Sequence, residues 1–210
     1  MKTATKILAV ICQKGGVGKT AIAVNLAVEA NRARHKVVLI DIDKQASATN
    51  WNGERDEGQR LDVVKTDLSG LAAALAAAEQ RHAELIIIDT PGKTEATTVP
   101  VSRLADFVLI PTYPFFVDMK PAVESAHWVR SSGKPHAFVI NQATPGHVTT
   151  EEARAILEGC GFPVFPDVVH RCADIYHSSQ GGSAVEYNPD GKAAEEIKKL
   201  FNTLKKVMSL

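Results

Sequence analysis

The sequence predicts an α/β fold, a doubly wound and mostly parallel sheet flanked by helices. Three observations predict it. Short apolar runs alternate with stretches of helical periodicity along the chain, the pattern of strands joined by crossover helices. Runs such as Leu85-Ile86-Ile87-Ile88 and Phe107-Val108-Leu109-Ile110 are apolar at every position, as strands are when helices cover both faces of a sheet. A glycine-rich turn, Gly15-Gly16-Val17-Gly18, separates the first apolar run from the first helical stretch, and in such folds ligands bind beyond the carboxyl ends of the strands.

In chain order the candidate strands are residues 6–12, 36–41, 61–65, 85–89, 106–111 and 136–141, with a weaker one at 163–166. Helical stretches at 20–34, 68–81, 94–104, 120–131 and 150–158 lie between them. A last helix spans 193–208, where Ile197, Leu200, Phe201, Leu204 and Met208 share one face and lysines occupy the flanks and outer side. No linker of domain size interrupts the pattern, so 1–210 reads as one domain.

Composition narrows the function classes. Lys plus Arg balances Asp plus Glu at 24 each, so any affinity for nucleic acid must come from a local patch, assembled by dimerisation, and not from overall charge. The cysteines Cys12, Cys160 and Cys172 are scattered and odd in number, which argues against a disulfide framework. His170, Cys172 and His177 lack the second Cys/His pair that a metal cluster needs. Apolar runs are of strand length, too short to span a bilayer, and nothing reads as a signal peptide. The expected compartment is the cytoplasm.

The chemistry-bearing residues sit where strands end. An ordinary phosphate-binding loop reads G-x-x-x-x-G-K-[ST]; here Gln13 holds the first glycine position and the segment runs Lys14-Gly15-Gly16-Val17-Gly18-Lys19-Thr20. The glycines let backbone N–H groups turn inward around phosphate oxygens. Lys19 would reach the β- and γ-phosphates and Thr20 would coordinate Mg²⁺. Lys14 has no task in that scheme. The second strand ends in Asp41-Ile42-Asp43 and the fourth in Asp89-Thr90-Pro91-Gly92. Carboxylates at strand ends beside such a loop suit a metal ion and an attacking water.

The loop resembles the deviant Walker A box, K-G-G-x-G-K-[ST], of the ParA/MinD ATPases, a P-loop NTPase family. Residues 41–45 resemble its A′ box, with Lys44 where proline is usual, and residues 85–92 resemble its Walker B strand and switch II. Residues 109–118 resemble its I-P-x-x-P-x-x-x-D segment, ending at Asp118, and Asn141 ends a strand where relatives contact adenine. The small plasmid-partition ParF-like proteins, which lack an N-terminal DNA-binding domain, are similar to nearly the whole chain, with Ala48-Thr49-Asn50-Trp51 and Gly181-Gly182-Ser183-Ala184-Val185-Glu186 resembling that subgroup particularly.

This resemblance implies ATP and Mg²⁺ as cofactors and an ATP-sandwich homodimer in which Lys14 reaches the partner's nucleotide. It implies Lys14, Lys19 and Asp43 as catalytic groups. Nucleotide binding would fall to Gly15, Gly16, Val17, Gly18, Lys19, Thr20, Ala21 and Asn141, and the metal to Thr20, Asp41 and Asp89. The family's dimers coat nucleoid DNA without sequence preference and are released when a ParB-like or other cargo-adaptor protein stimulates hydrolysis, which segregates plasmid, chromosomal or protein cargo. Arg171, Lys198, Lys199, Lys205 and Lys206 are the candidate DNA contacts. A MinD-like membrane-cycling ATPase is the alternative. No membrane contact is expected, because the last helix should pack on the sheet through its narrow apolar face.

Overall fold

A computed structural model describes residues 4–92, 95–177 and 181–210, without the side chains of 116–118 and 176–177. The strands are β1 (Lys6–Val10), β2 (Val37–Asp41), β3 (Asp62–Lys65), β4 (Leu85–Asp89), β5 (Phe107–Thr112), β6 (His136–Ala143) and β7 (Val164–His170). They form one sheet in the order β3-β2-β4-β1-β5-β6-β7, and each described strand pairing is parallel. The chain therefore works outward to one edge through β2 and β3 and to the other through β5, β6 and β7. The crevice left at the carboxyl ends of β1 and β4 is the position such sheets offer a ligand.

Period-two alternation builds a core on each face. Leu8, Val10, Leu85 and Ile87 point into one cluster, shared with the helices α1 (Lys19–Arg32), α2 (Ser47–Gly53), α8 (Ala184–Tyr187) and α9 (Lys192–Met208). Ala9, Ile86 and Ile88 point into the other, beneath α3 (Leu71–Gln80), α4 (Glu95–Leu104), α5 (Phe116–Ser131) and α6 (Thr149–Gly159). Burying each such Leu or Ile contributes roughly 1.5–3 kcal/mol, which is why β4 carries no polar residue before Asp89. As expected, α9 packs inward: Ile197, Leu200, Phe201, Leu204 and Met208 are buried. A short helix, α7 (Ala173–His177), follows β7.

Among the differences from the sequence reading, three have a clear physical reason. The first strand stops at Val10 because Ile11 and Cys12 already turn toward the glycine loop, although both remain buried. The weak seventh strand extends to His170 and contains Pro166; at the sheet edge a missing N–H costs no ladder bond. Residues 47–53 form α2 despite the poor helix formers Ser47, Thr49, Asn50, Asn52 and Gly53. The helix is held from outside by Asp41 and by burial of Trp51.

Candidate functional site

Strand register assembles the site. Val10 and Asp41 each sit level with Asp89, on either side of β4. The loop that follows β1 therefore passes directly over the two strand-end carboxylates. Its first residues are tied down by the Gln13 N–H, which donates to Ser125 Oγ at 2.9 Å, and by Thr90 Oγ1, which donates to the Val10 carbonyl at 2.8 Å. Gly16 and Gly18 take positive φ, at 76° and 89°, a conformation that glycine reaches without a Cβ penalty. At Gly18 a side chain would also meet Asn141 Nδ2, whose amide donates to the Val17 carbonyl at 2.8 Å. Asn141 thus closes the loop from the β6 side.

A cavity of about 860 Å³ opens over the loop, within the size range of nucleotide-sized ligand sites. Gly15, Gly16, Gly18, Lys19, Thr20 and Ala21 line it together with Asp43. The structure therefore brings together the predicted loop and the predicted water-side carboxylate. Lys19 is 7% exposed and its Nζ donates to the Lys14 carbonyl at 3.0 Å. Burial lowers its pKa, an effect opposed by the charges of Cys12, Asp89 and Asp43.

Asp89 is the most perturbed carboxyl group of the site. Burial, chiefly, pushes its pKa up to about 7, and Asp41 and Asp43 add like-charge repulsion against the stabilising Thr20 hydrogen bond and Lys19 charge. Its Oδ2 accepts from Thr20 Oγ1 at 2.7 Å; its Oδ1 is buried without a hydrogen-bond partner. An orphaned carboxylate oxygen next to a threonine hydroxyl is the donor set a hard divalent cation takes. Thr20 and Asp89 thus fit Mg²⁺.

Asp41, expected in the Mg²⁺ water shell, has both carboxylate oxygens engaged by the chain itself. Residues two apart on a strand share a face, but the chain leaves β2 at Asp41 and the two carboxylates part. Asp41 Oδ1 accepts from the Asp43 N–H at 3.0 Å, and Oδ2 accepts from Thr49 N and Thr49 Oγ1, each at 2.9 Å. Both oxygens are used to anchor the turn and the first turn of α2. Asp43 Oδ1 in turn accepts from the Gln45 N–H at 3.0 Å, a local turn that Lys44 permits without the family's proline. Lys65, which sequence reasoning did not single out, lies 3.8 Å from Asp41 Oδ1 and donates to the Asp43 carbonyl. Asp67, Leu68, Ser69 and Thr97 were likewise missed; they line the cavity but carry no motif.

Lys14 is not among the described residues lining this cavity. Its Nζ lies 5.5 Å from the centre of the Tyr113 ring. The five candidate DNA-contacting cations do not form one group. Arg171 acts on Tyr113, at the loop end of the sheet. Lys198 and Lys205 act, with Arg32, on Glu29. Lys199 pairs with Glu195 at 2.7 Å, and Lys206 is exposed. Among the described residues no group of His, Cys, Asp and Glu could hold a metal as a cluster; the side chains of His177 and Asp118 lie outside the described ones. No helix among the described residues is long and apolar enough to cross a membrane.

Comparisons with known proteins bear on this geometry. Residues 8–185 match the family described as the CobQ/CobB/MinD/ParA nucleotide binding domain. "Maintenance of carboxysome distribution protein A" of Halothiobacillus neapolitanus is 29% identical over 206 residues, covering 93% of this chain and 94% of that protein. The protein of the same name from Gloeobacter kilaueensis is 32% identical over 163 residues, 76% of this chain and 74% of its own length. Among solved structures, the septum site-determining protein MinD of Pyrococcus horikoshii, complexed with Mg-ADP, superposes with a TM-score of 0.77 at 18% identity and covers 97% of each chain.

Proposed function

The chain belongs to the CobQ/CobB/MinD/ParA nucleotide-binding family, and on that premise we propose that it is a positioning ATPase that dimerises around ATP. The observation that carries the reading is the division of labour between two lysines of one loop. Lys19 is folded into the cavity beneath its own loop, whereas the Lys14 ammonium is turned toward Tyr113. In this reading Lys14 serves a nucleotide bound by a second copy.

In this reading the loop N–H groups and Lys19 bind the phosphates and offset their charge. Asp43, in the cavity wall, orients the attacking water in line with the γ-phosphate. Thr20 and Asp89 hold Mg²⁺, which when bound neutralises charge on the β- and γ-phosphate oxygens. Lys14 enters the partner's site and stabilises the charge of the transition state, as an arginine finger does. Lys14→Ala should therefore lower turnover by roughly 10³–10⁵-fold and abolish the ATP-dependent dimer in sedimentation. A variant that still dimerises with ATP removes the role in trans. Asp43→Ala should bind ATP and dimerise while kcat falls by roughly 10²–10⁴-fold; loss of ATP binding would make Asp43 structural.

The matrix and cargo follow the same reading. The ATP dimer binds nonspecific duplex DNA through phosphate-contacting cations, and a cargo-bound partner protein stimulates hydrolysis and release at the nucleoid. The near full-length similarity to carboxysome distribution proteins favours a protein assembly over a plasmid as cargo. Membrane cycling is disfavoured because the apolar face of α9 is buried against the sheet and α1. Sedimentation with a non-hydrolysable ATP analogue, with and without duplex DNA, tests the scheme. A dimer that ignores DNA overturns the DNA matrix, and a protein that stays monomeric with bound nucleotide overturns the sandwich.

A further inference from the structure

Tyr113 follows β5, at an unspecified position of the I-P-x-x-P-x-x-x-D-like segment, and reaches across to the glycine loop. Its hydroxyl donates to the Gly16 carbonyl, at one of the loop's two positive-φ glycines. Its ring lies 5.5 Å from Lys14 Nζ, within the distance at which an ammonium is attracted to an aromatic face. Gln142, at a positive φ of 55° near the end of β6, comes close to the same loop at Gly18. Tyr113 therefore contacts both the loop backbone and the extra lysine.

We propose that Tyr113 is a positioning residue that holds Lys14 on its own subunit, so that ATP-dependent dimerisation must first detach the lysine from the ring. The inference rests on the reading of Lys14 as acting in trans. A contact present in the monomer and broken in the dimer opposes association. Cation–π contacts at exposed sites correspond to about a two- to fivefold bias per lysine. A symmetric dimer moves two lysines, so the bias on the dimer dissociation constant is about five- to thirtyfold. Tyr113 thereby sets the protein concentration at which the ATP dimer appears.

The experiment is sedimentation equilibrium in saturating non-hydrolysable ATP analogue with Mg²⁺, on the wild-type chain, Tyr113→Leu, Tyr113→Phe, Lys14→Ala and the Lys14→Ala/Tyr113→Leu double variant. A fluorescent ATP analogue measures nucleotide affinity of each at concentrations where the chain is monomeric, and circular dichroism checks the fold. Tyr113→Leu should tighten the dimer about five- to thirtyfold with nucleotide affinity unchanged within about twofold. Tyr113→Phe, which keeps the ring, should stay within about twofold of wild type. Lys14→Ala should leave no ATP dimer, and Tyr113→Leu should not restore one in that background; a double variant that dimerises would overturn the dependence on Lys14. A Tyr113→Leu dimer no tighter than wild type, with Lys14→Ala still abolishing dimerisation, overturns the role of Tyr113 alone. A Lys14→Ala chain that dimerises like wild type overturns the reading beneath it. Should Tyr113→Phe tighten the dimer as much as Tyr113→Leu, the ring contact is not the restraint and the proposal fails as well.

Discussion

At the scale of single residues, the site is governed by what burial does to one carboxylate and one glycine. Asp89 has a pKa pushed up to about 7, from an ordinary value of 3.8, mainly by desolvation. Between those values the native chain keeps a proton that the unfolded chain has lost, so in metal-free protein the stability contributed by this group falls as pH rises from about 4 to about 7 and is flat above. Urea unfolding at pH 5 and pH 8 without divalent cations should show the wild type losing stability relative to Asp89→Asn, whose amide does not titrate. Equal pH dependence in the two proteins would show that Asp89 is not protonated in the native state. Mg²⁺ with nucleotide should remove the difference in the wild type only, because a bound cation replaces the proton. Gly18→Ala tests the loop instead. A methyl there meets the Asn141 amide at a φ of 89°, so nucleotide affinity should fall at least tenfold, a loss of about 1.4 kcal/mol or more. Unchanged binding of a fluorescent ATP analogue would mean that the loop adopts another conformation around phosphate.

At the scale of elements, α2 is the unit that connects the acid turn to the rest of the protein. Asp41 holds its first turn, while Trp51 Nε1 donates to the Gly182 carbonyl at 2.7 Å. Arg55, just beyond α2, forms a two-pronged pair with Glu186 at 2.7 and 3.0 Å and donates to the Gly181 carbonyl at 2.8 Å. Its side chain is 1% exposed and its guanidinium stacks over Trp51 at 4.7 Å. Glu186→Ala strands that buried cation, so it should cost about 3 kcal/mol and shift Trp51 emission to the red. Arg55→Met, which removes the charge itself, should cost less. Equal stability of Glu186→Ala and wild type in urea would show the clasp to be solvated. This contact also marks the limit of what the sequence reveals. Strands such as β4 are legible because both faces are apolar, and the loop and its carboxylates are legible because their chemistry needs those residues in that order. Residues 48–51 and 181–186 can each be noticed in the sequence, but the bonds joining them span some 130 positions and have no periodic signature. Tyr113, Ser125 and Lys65 are hidden for the same reason: each acts through a tertiary contact that no local pattern encodes.

At the scale of the whole molecule, the sheet separates a nucleotide end from the surface where α1 and α9 lie side by side. On that surface the charges of Lys198, Arg32 and Lys205 act on Glu29, whose own pKa is raised by burial. The group is thus a net cation of the kind that contacts phosphates without reading bases. Lys199 belongs to a different arrangement, since Glu195 already pairs with it at 2.7 Å and both are well exposed. A chain of zero formal charge can still bind duplex DNA if two such local groups are brought to one lattice of phosphates by dimerisation. Each lysine that contacts a phosphate contributes about −0.9 to the slope of log K against log salt. Lys198→Gln/Lys205→Gln should therefore reduce the slope for the ATP dimer by about 2 per protomer without changing dimerisation or nucleotide binding, both of which are set at the other end of the sheet. Lys199→Gln should change the slope far less, because its charge is already matched by Glu195. Salt titrations of binding to a nonspecific duplex read both effects in one series. A slope unaltered in the double variant would take Lys198 and Lys205 out of the DNA footprint and leave Arg171, whose backbone N–H donates to the Ala143 carbonyl at the end of β6, as the cation to test next.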